Sequence, residues 1–282
     1  MSEKDIRFDN IVKALYPPFL YLIMMLAVEA GADIYLLIKQ TDSVNASMGS
    51  FMSSYQFFEN LDKRLENYTY IITLIAASMA VIVFGILFIR DCSVNQDFLT
   101  AYRWKNVKRK DFFLSVGIGF FSATGLSRLV YLLPLDDVIG SYEKVSSQLL
   151  KGGIGIQLVS LGIVVPIAEE LIYRGLVFLR MKKIMEVWTA AVFASVMFGL
   201  FHFNLLQGVY TFMLSMVLIT VFLKYRSIIP CIIIHSMANI TAVLSEYYQI
   251  SEAVNTGMVM YLLVMLLELF LMGALLYDVI EG

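Results

Sequence analysis

The stretch GIVVPIAEELIYRG, residues 162–175, places two adjacent glutamates and an arginine inside an otherwise apolar run. The run extends from Gly153 to Tyr173, and a membrane span needs about 20 mostly apolar residues. Each ionisable side chain at mid-membrane costs roughly 2.5–3.5 kcal/mol. Three charges so close together therefore require partners or a water-filled cavity. Pro166 removes a backbone donor and its ring crowds the carbonyl of Gly162, so a kink is expected one turn before the acids. Glu170 and Arg174 are spaced i,i+4 with the acid first, the favourable order for a helical ion pair. Glu169 is rotated about 100° from Glu170 and is expected to face a different neighbour, with Tyr173 one turn below it. A salt bridge that only locks helices together would explain Glu170 and Arg174. It would leave Glu169 unexplained.

The rest of the chain agrees with a membrane setting. Of 282 residues, 59% are hydrophobic and 16% charged, with mean hydropathy +0.77; soluble domains carry roughly 25% charged residues. The fold class expected is all-α, a polytopic transmembrane bundle of about eight spans enclosing a water-accessible cavity. The spans read as Leu15–Ile38, Tyr70–Ile89, Phe112–Leu133, Gly153–Tyr173, Val187–Phe203, Gly208–Leu223, Ile228–Leu244 and Met258–Tyr277. The first is read as an uncleaved span, because no small-residue cleavage site follows it. The net charge of −2 gives no sign of nucleic-acid binding. Cys92 and Cys231 suggest neither a disulfide nor a thiol metal site.

Basic residues orient the spans. With the N-terminus inside, Lys4, Arg7, Lys13, Arg90, Arg103, Lys105, Lys108, Arg109, Lys110, Arg174, Arg180, Lys182, Lys183, Lys224 and Arg226 lie inside. Only Lys39, Lys63, Arg64, Lys144 and Lys151 fall outside, which favours both termini in the cytoplasm. Between the first two spans, Met48, Phe51, Met52, Tyr55, Phe58, Leu61 and Leu65 recur at helical spacing. They suggest an amphipathic helix on the outer interface or a partly ordered loop packed on the spans. The basic run Arg103–Lys110 is expected to face anionic headgroups. Glu29 and Asp33 in the first span, Arg128 in the third and Glu268 in the eighth are read as pairing among themselves or lying near an interface. The alternative is a role in admitting substrate.

Only two histidines occur in the chain, both in apolar segments. His202 closes the fifth span and shares a face with Phe198. His235 lies in the seventh and shares a face with Asn239. Glu-Glu-x-x-x-Arg, then Phe-x-x-x-His, then His-x-x-x-Asn on successive helices resembles the CAAX-protease and bacteriocin-processing family of intramembrane endopeptidases. That family includes the eukaryotic proteases that trim prenylated proteins. The resemblance covers roughly residues 150–245, flanked by N-terminal spans (1–149) and a C-terminal span (246–282).

The resemblance implies that Glu169 and His202 bind and activate a water, Glu169 being the general base. It implies that His235 and Asn239 hold the oxyanion, and that Glu170 and Arg174 shape the site, with Tyr173 and Phe198 supporting it. Peptide hydrolysis needs such a base and such donors. No cofactor is the preferred reading. The alternative is Zn2+ held by Glu169, His202 and His235, because three ligands with an open position would suit a catalytic metal. The expected partners are the lipid bilayer and a membrane-associated peptide or protein substrate, and the expected location is a bacterial cell membrane. A non-catalytic protein of the same fold, acting in peptide binding, immunity or scaffolding, is the competing class. A proton or ion transporter would also use intramembrane Glu and His, but would predict inverted repeats, which the sequence lacks.

One geometric demand follows. If every span crossed fully, His202 would lie near the outer end of its helix and His235 near the inner end of its own. The short fifth and sixth spans are therefore expected to form a hairpin that stops within the membrane or tilts steeply. Irregular backbone at that depth must line a cavity or be buried in protein.

Overall fold

The computed structural model describes residues 3–46, 54–94, 107–133, 153–250 and 257–282. They form eight helices: α1 (Glu3–Ala46), α2 (Ser54–Val94), α3 (Arg109–Tyr131), α4 (Ile154–Met181), α5 (Val187–Leu200), α6 (Leu205–Tyr225), α7 (Ile228–Tyr247) and α8 (Met258–Glu281). Seven are long and apolar enough to cross a membrane. The protein is a helical membrane bundle. Large apolar side chains such as Ile23, Leu26, Ile82, Ile86, Leu263 and Phe270 remain exposed on the helices. Lipid is the solvent that such surfaces suit.

The exception is α5, at 14 residues. At 1.5 Å per residue it spans roughly 21 Å, short of the roughly 30 Å hydrocarbon core. The sixth helix differs from expectation, since α6 has 21 residues and is a full span by length. Phe201–Asn204 joins the two. Phe203 adopts a left-handed conformation there (φ 53°), and the Asn204 side chain caps α6 by accepting from the Gln207 N–H at 3.1 Å. The hairpin closes on two glycines. A Cβ at Gly199 would lie 2.6 Å from the Gly208 carbonyl oxygen, so small residues let the two backbones touch.

The centre of the bundle is α4. Every residue from Leu171 to Arg180 is buried, and α1, α2, α5 and α7 all pack against this helix. Arg180, read from sequence as a loop charge, is instead buried at its end. It bonds Asp91 at 2.8 Å, the Lys13 carbonyl and the face of Tyr16, tying α1, α2 and α4 together. Of the N-terminal amphipathic segment, Ser54–Leu65 belongs to α2, helical without a break into the second span. Met48, Phe51 and Met52 lie outside the described residues, as does most of the basic run before Lys108.

The expected kink at Pro166 takes a specific form. Helix α4 contains two wider turns, Ser160–Val164 and Leu171–Phe178. In the first, the Val165 N–H reaches the Ser160 carbonyl, five residues back. The extra residue per turn accommodates proline's missing donor without a sharp break.

Candidate active site

The acids lie between the two wide turns, in Val165–Glu170, and their environments differ. Glu170 is fully enclosed. Its Oε1 accepts from Arg174 Nη1 at 2.8 Å and lies 2.8 Å from His235 Nδ1. The i,i+4 ion pair read from sequence is therefore present and dry, and it reaches a third residue that the sequence did not indicate. Glu169 retains some exposure, 13% of its side chain, with Oε2 3.5 Å from His235 Nε2. His235 thus lies between the two carboxylates.

Phe198 is the second organiser. Its ring packs edge-on against Tyr173 (4.7 Å between centroids), His202 (4.9 Å) and His235 (5.6 Å). The Arg174 guanidinium lies 5.0 Å from the ring centroid, a cation–π contact. One buried phenylalanine therefore brings α4, α5 and α7 together. Both histidines reach the Phe198 ring from different positions: His202 sits just past the C-terminus of α5, whereas His235 lies about two turns into α7.

Hydrogen bonds place a hydrogen on Nδ1 of each histidine ring. His202 Nδ1 lies 2.7 Å from the Phe198 carbonyl oxygen. A carbonyl only accepts, so Nδ1 carries the hydrogen and Nε2 of the neutral ring is an acceptor. His235 Nδ1 faces a carboxylate already paired with arginine, and by the same logic it donates. Asn239 lies a turn beyond His235 and donates from Nδ2 to the Leu161 carbonyl at 2.9 Å. Leu161 lies in the first wide turn of α4, where a Cβ at Gly162 would come within 2.7 Å of Ile240. Tyr21 of α1 is a further neighbour, within electrostatic reach of Glu169 and Tyr173. Nothing in its local sequence marks it out.

Residues 152–241 match the family model described as type II CAAX prenyl endopeptidase Rce1-like. The matched segment contains Glu169, Glu170, Tyr173, Arg174, Phe198, His202, His235 and Asn239, and leaves out Tyr21 and the whole of α1–α3 and α8. Neither a curated protein nor a solved structure matches the chain.

The zinc alternative can be tested on the same geometry. Among the described residues, no three His, Cys, Asp or Glu side chains gather as metal ligands would. His235 has Nδ1 engaged with Glu170, and His202 has Nδ1 engaged with the Phe198 carbonyl. Those bonds leave both Nε2 atoms open, but Glu169, His202 and His235 as placed are not gathered as zinc ligands.

The remaining membrane charges divide. Arg128 Nε pairs with Glu268 Oε2 at 3.0 Å, joining α3 to α8, and Tyr261 donates to the Arg128 carbonyl. That is the pairing expected from sequence. Glu29 is exposed, and Asp33 Oδ1 is buried without a hydrogen bond.

Proposed function

We propose that the protein is an intramembrane endopeptidase that hydrolyses a peptide bond of a membrane-associated peptide or protein. The observation that carries this reading is the unequal commitment of the two acids. Glu170 is sealed and holds Arg174 and His235, whereas Glu169 keeps partial exposure beside His235. A buried ion pair alone would need only the first arrangement.

In the proposed reaction, Glu169 takes a proton from a water whose other contact is His202 Nε2. The water oxygen attacks the scissile carbonyl carbon. Charge develops on the carbonyl oxygen, which His235 and Asn239 stabilise. His235 serves in this scheme as the imidazolium: Nδ1–H donates to Glu170 and fixes the ring, and Nε2–H points into the site. Two facing lone pairs on Nε2 and Glu169 would repel, so a hydrogen between them is the arrangement that suits 3.5 Å. Asn239 can serve because an amide nitrogen has two hydrogens. One anchors the side chain on Leu161, and the other remains for the oxyanion. Glu169 then delivers its proton to the departing nitrogen as the C–N bond breaks.

We take residues 150–245 as the catalytic core, with 1–149 and 246–282 completing the bundle. Both termini are placed in the cytoplasm of a bacterial cell, on the basic-residue distribution. A leader peptide or signalling-peptide precursor is the substrate proposed. The test is to present the purified protein in vesicles with membrane-anchored reporter peptides in oxygen-18 water. Cleavage with one heavy oxygen in the new carboxyl terminus is expected. Reporters that bind but are never cut would favour a peptide-binding role.

A further inference from the structure

We propose that Pro166 is a positioning residue: by withholding a backbone N–H, it leaves the Leu161 carbonyl to Asn239 and so fixes the Asn239 amide. This rests on the endopeptidase reading and deepens it. The argument follows the donors around one turn. In an ordinary helix the Leu161 carbonyl would accept from Val165, but that N–H goes to Ser160 instead. In the wider register the donor to Leu161 would be residue 166, and proline has none. Neither register supplies a backbone donor, and a half-buried carbonyl in a membrane helix is costly to leave without one.

Asn239 Nδ2 fills that place at 2.9 Å. Its short side chain reaches because α4 and α7 are nearly in contact here, with Gly162 against Ile240. The wide turn therefore presents one carbonyl outward to α7. A planar amide held through one N–H has its second N–H direction set, which is what a preorganised oxyanion donor requires. Pro166 touches no reacting atom in this scheme and acts only through Leu161 and Asn239.

Replacing Pro166 with alanine supplies the missing N–H. If either register then runs uniformly through residue 166, Leu161 gains a backbone donor that competes with Asn239. Alanine suits a helix better than proline, so Pro166→Ala should melt at or above the wild-type temperature. Its kcat should fall about tenfold, the scale of one hydrogen bond's net worth, with KM within about twofold. Lactic acid incorporated at position 166 has an ester oxygen in place of N–H, and should restore kcat. A carbon-13 label on the Leu161 carbonyl reads the contact without turnover. Asn239→Ala should shift its infrared band in the Pro166 protein and not in the Pro166→Ala protein. The proposal is overturned if Pro166→Ala turns over like wild type while Glu169→Gln is inactive, if the lactate variant falls as far as the alanine one, or if Asn239→Ala leaves the label unmoved. An active Glu169→Gln protein would instead remove Glu169 as the general base, and a wild-type protein that never cuts would remove the endopeptidase reading, while the infrared result would still decide the contact.

Discussion

Replacing Arg174 with methionine should cost far more stability than replacing Arg174 and Glu170 together. Both side chains are fully enclosed. Glu170 Oε1 accepts both 2.8 Å contacts, and Oε2 is buried with no hydrogen bond among the described residues. Methionine fills the arginine stem's volume with a flexible apolar chain, but leaves the carboxylate with His235 as its sole hydrogen-bonding partner. Removing one member of a buried pair costs about 3–5 kcal/mol, because the remaining charge stays desolvated. Adding Glu170→Gln removes that charge while keeping the shape, and should return the double variant to within about 2 kcal/mol of wild type. Reversible unfolding in mixed micelles, run as a double-mutant cycle, measures the coupling. A near-neutral single variant, or a double variant no better than the single, would refute the argument that the pair is dry and mutually dependent.

Three further outcomes follow from the geometry. Gly199→Ala should destabilise by about 1–3 kcal/mol, the cost of overpacking, because its Cβ would meet the Gly208 carbonyl; Gly31→Ala, with open space around it, should be neutral or slightly stabilising in the same unfolding assay. Reversing Arg128 or Glu268 alone should cost roughly 2–3 kcal/mol, since each leaves like charges facing in the membrane; exchanging the two residues should recover most of it, as read by thermal aggregation in detergent. Turnover by the purified protein is expected to survive excess chelator. Loss of activity restored by zinc would transfer water activation to a metal.

Much of this architecture was legible because membrane helices declare themselves by length and hydropathy. The Glu170–Arg174 and Phe198–His202 contacts were legible because four-residue spacing on a helix fixes a shared face. The short α5 was readable for the same reason as the spans, and it ends where His202 packs on Phe198, the ring that His235 also touches. The full length of α6 was missed because Asn204 and Gln207 bracket what reads as a four-residue connection, whereas Asn204 caps the helix and Leu205 begins it. The wide turns of α4 were not legible at all. A segment apolar all round has no periodic stripe from which a change of register could show. Without that register, the pairing of Asn239 with Leu161 could not be anticipated. The bridge from Glu170 to His235 joins residues 65 apart, and no local pattern encodes which acid the histidine meets. Arg180 misled because a basic residue among Lys182 and Lys183 looks like a loop charge, while its partner Asp91 lies on another helix.

The central claim is that the adjacent acids have different work, Glu169 chemical and Glu170 architectural. It is tested most directly by comparing turnover and melting temperature in Glu169→Gln and Glu170→Gln. Glutamine at 169 cannot accept the water proton, so cleavage of a membrane-anchored reporter should fall by about 10²–10⁴ with the melting temperature unchanged. Glutamine at 170 should lower the melting temperature, because Arg174 loses its counter-charge in a dry site. A Glu169→Gln protein that cleaves at the wild-type rate would contradict the account.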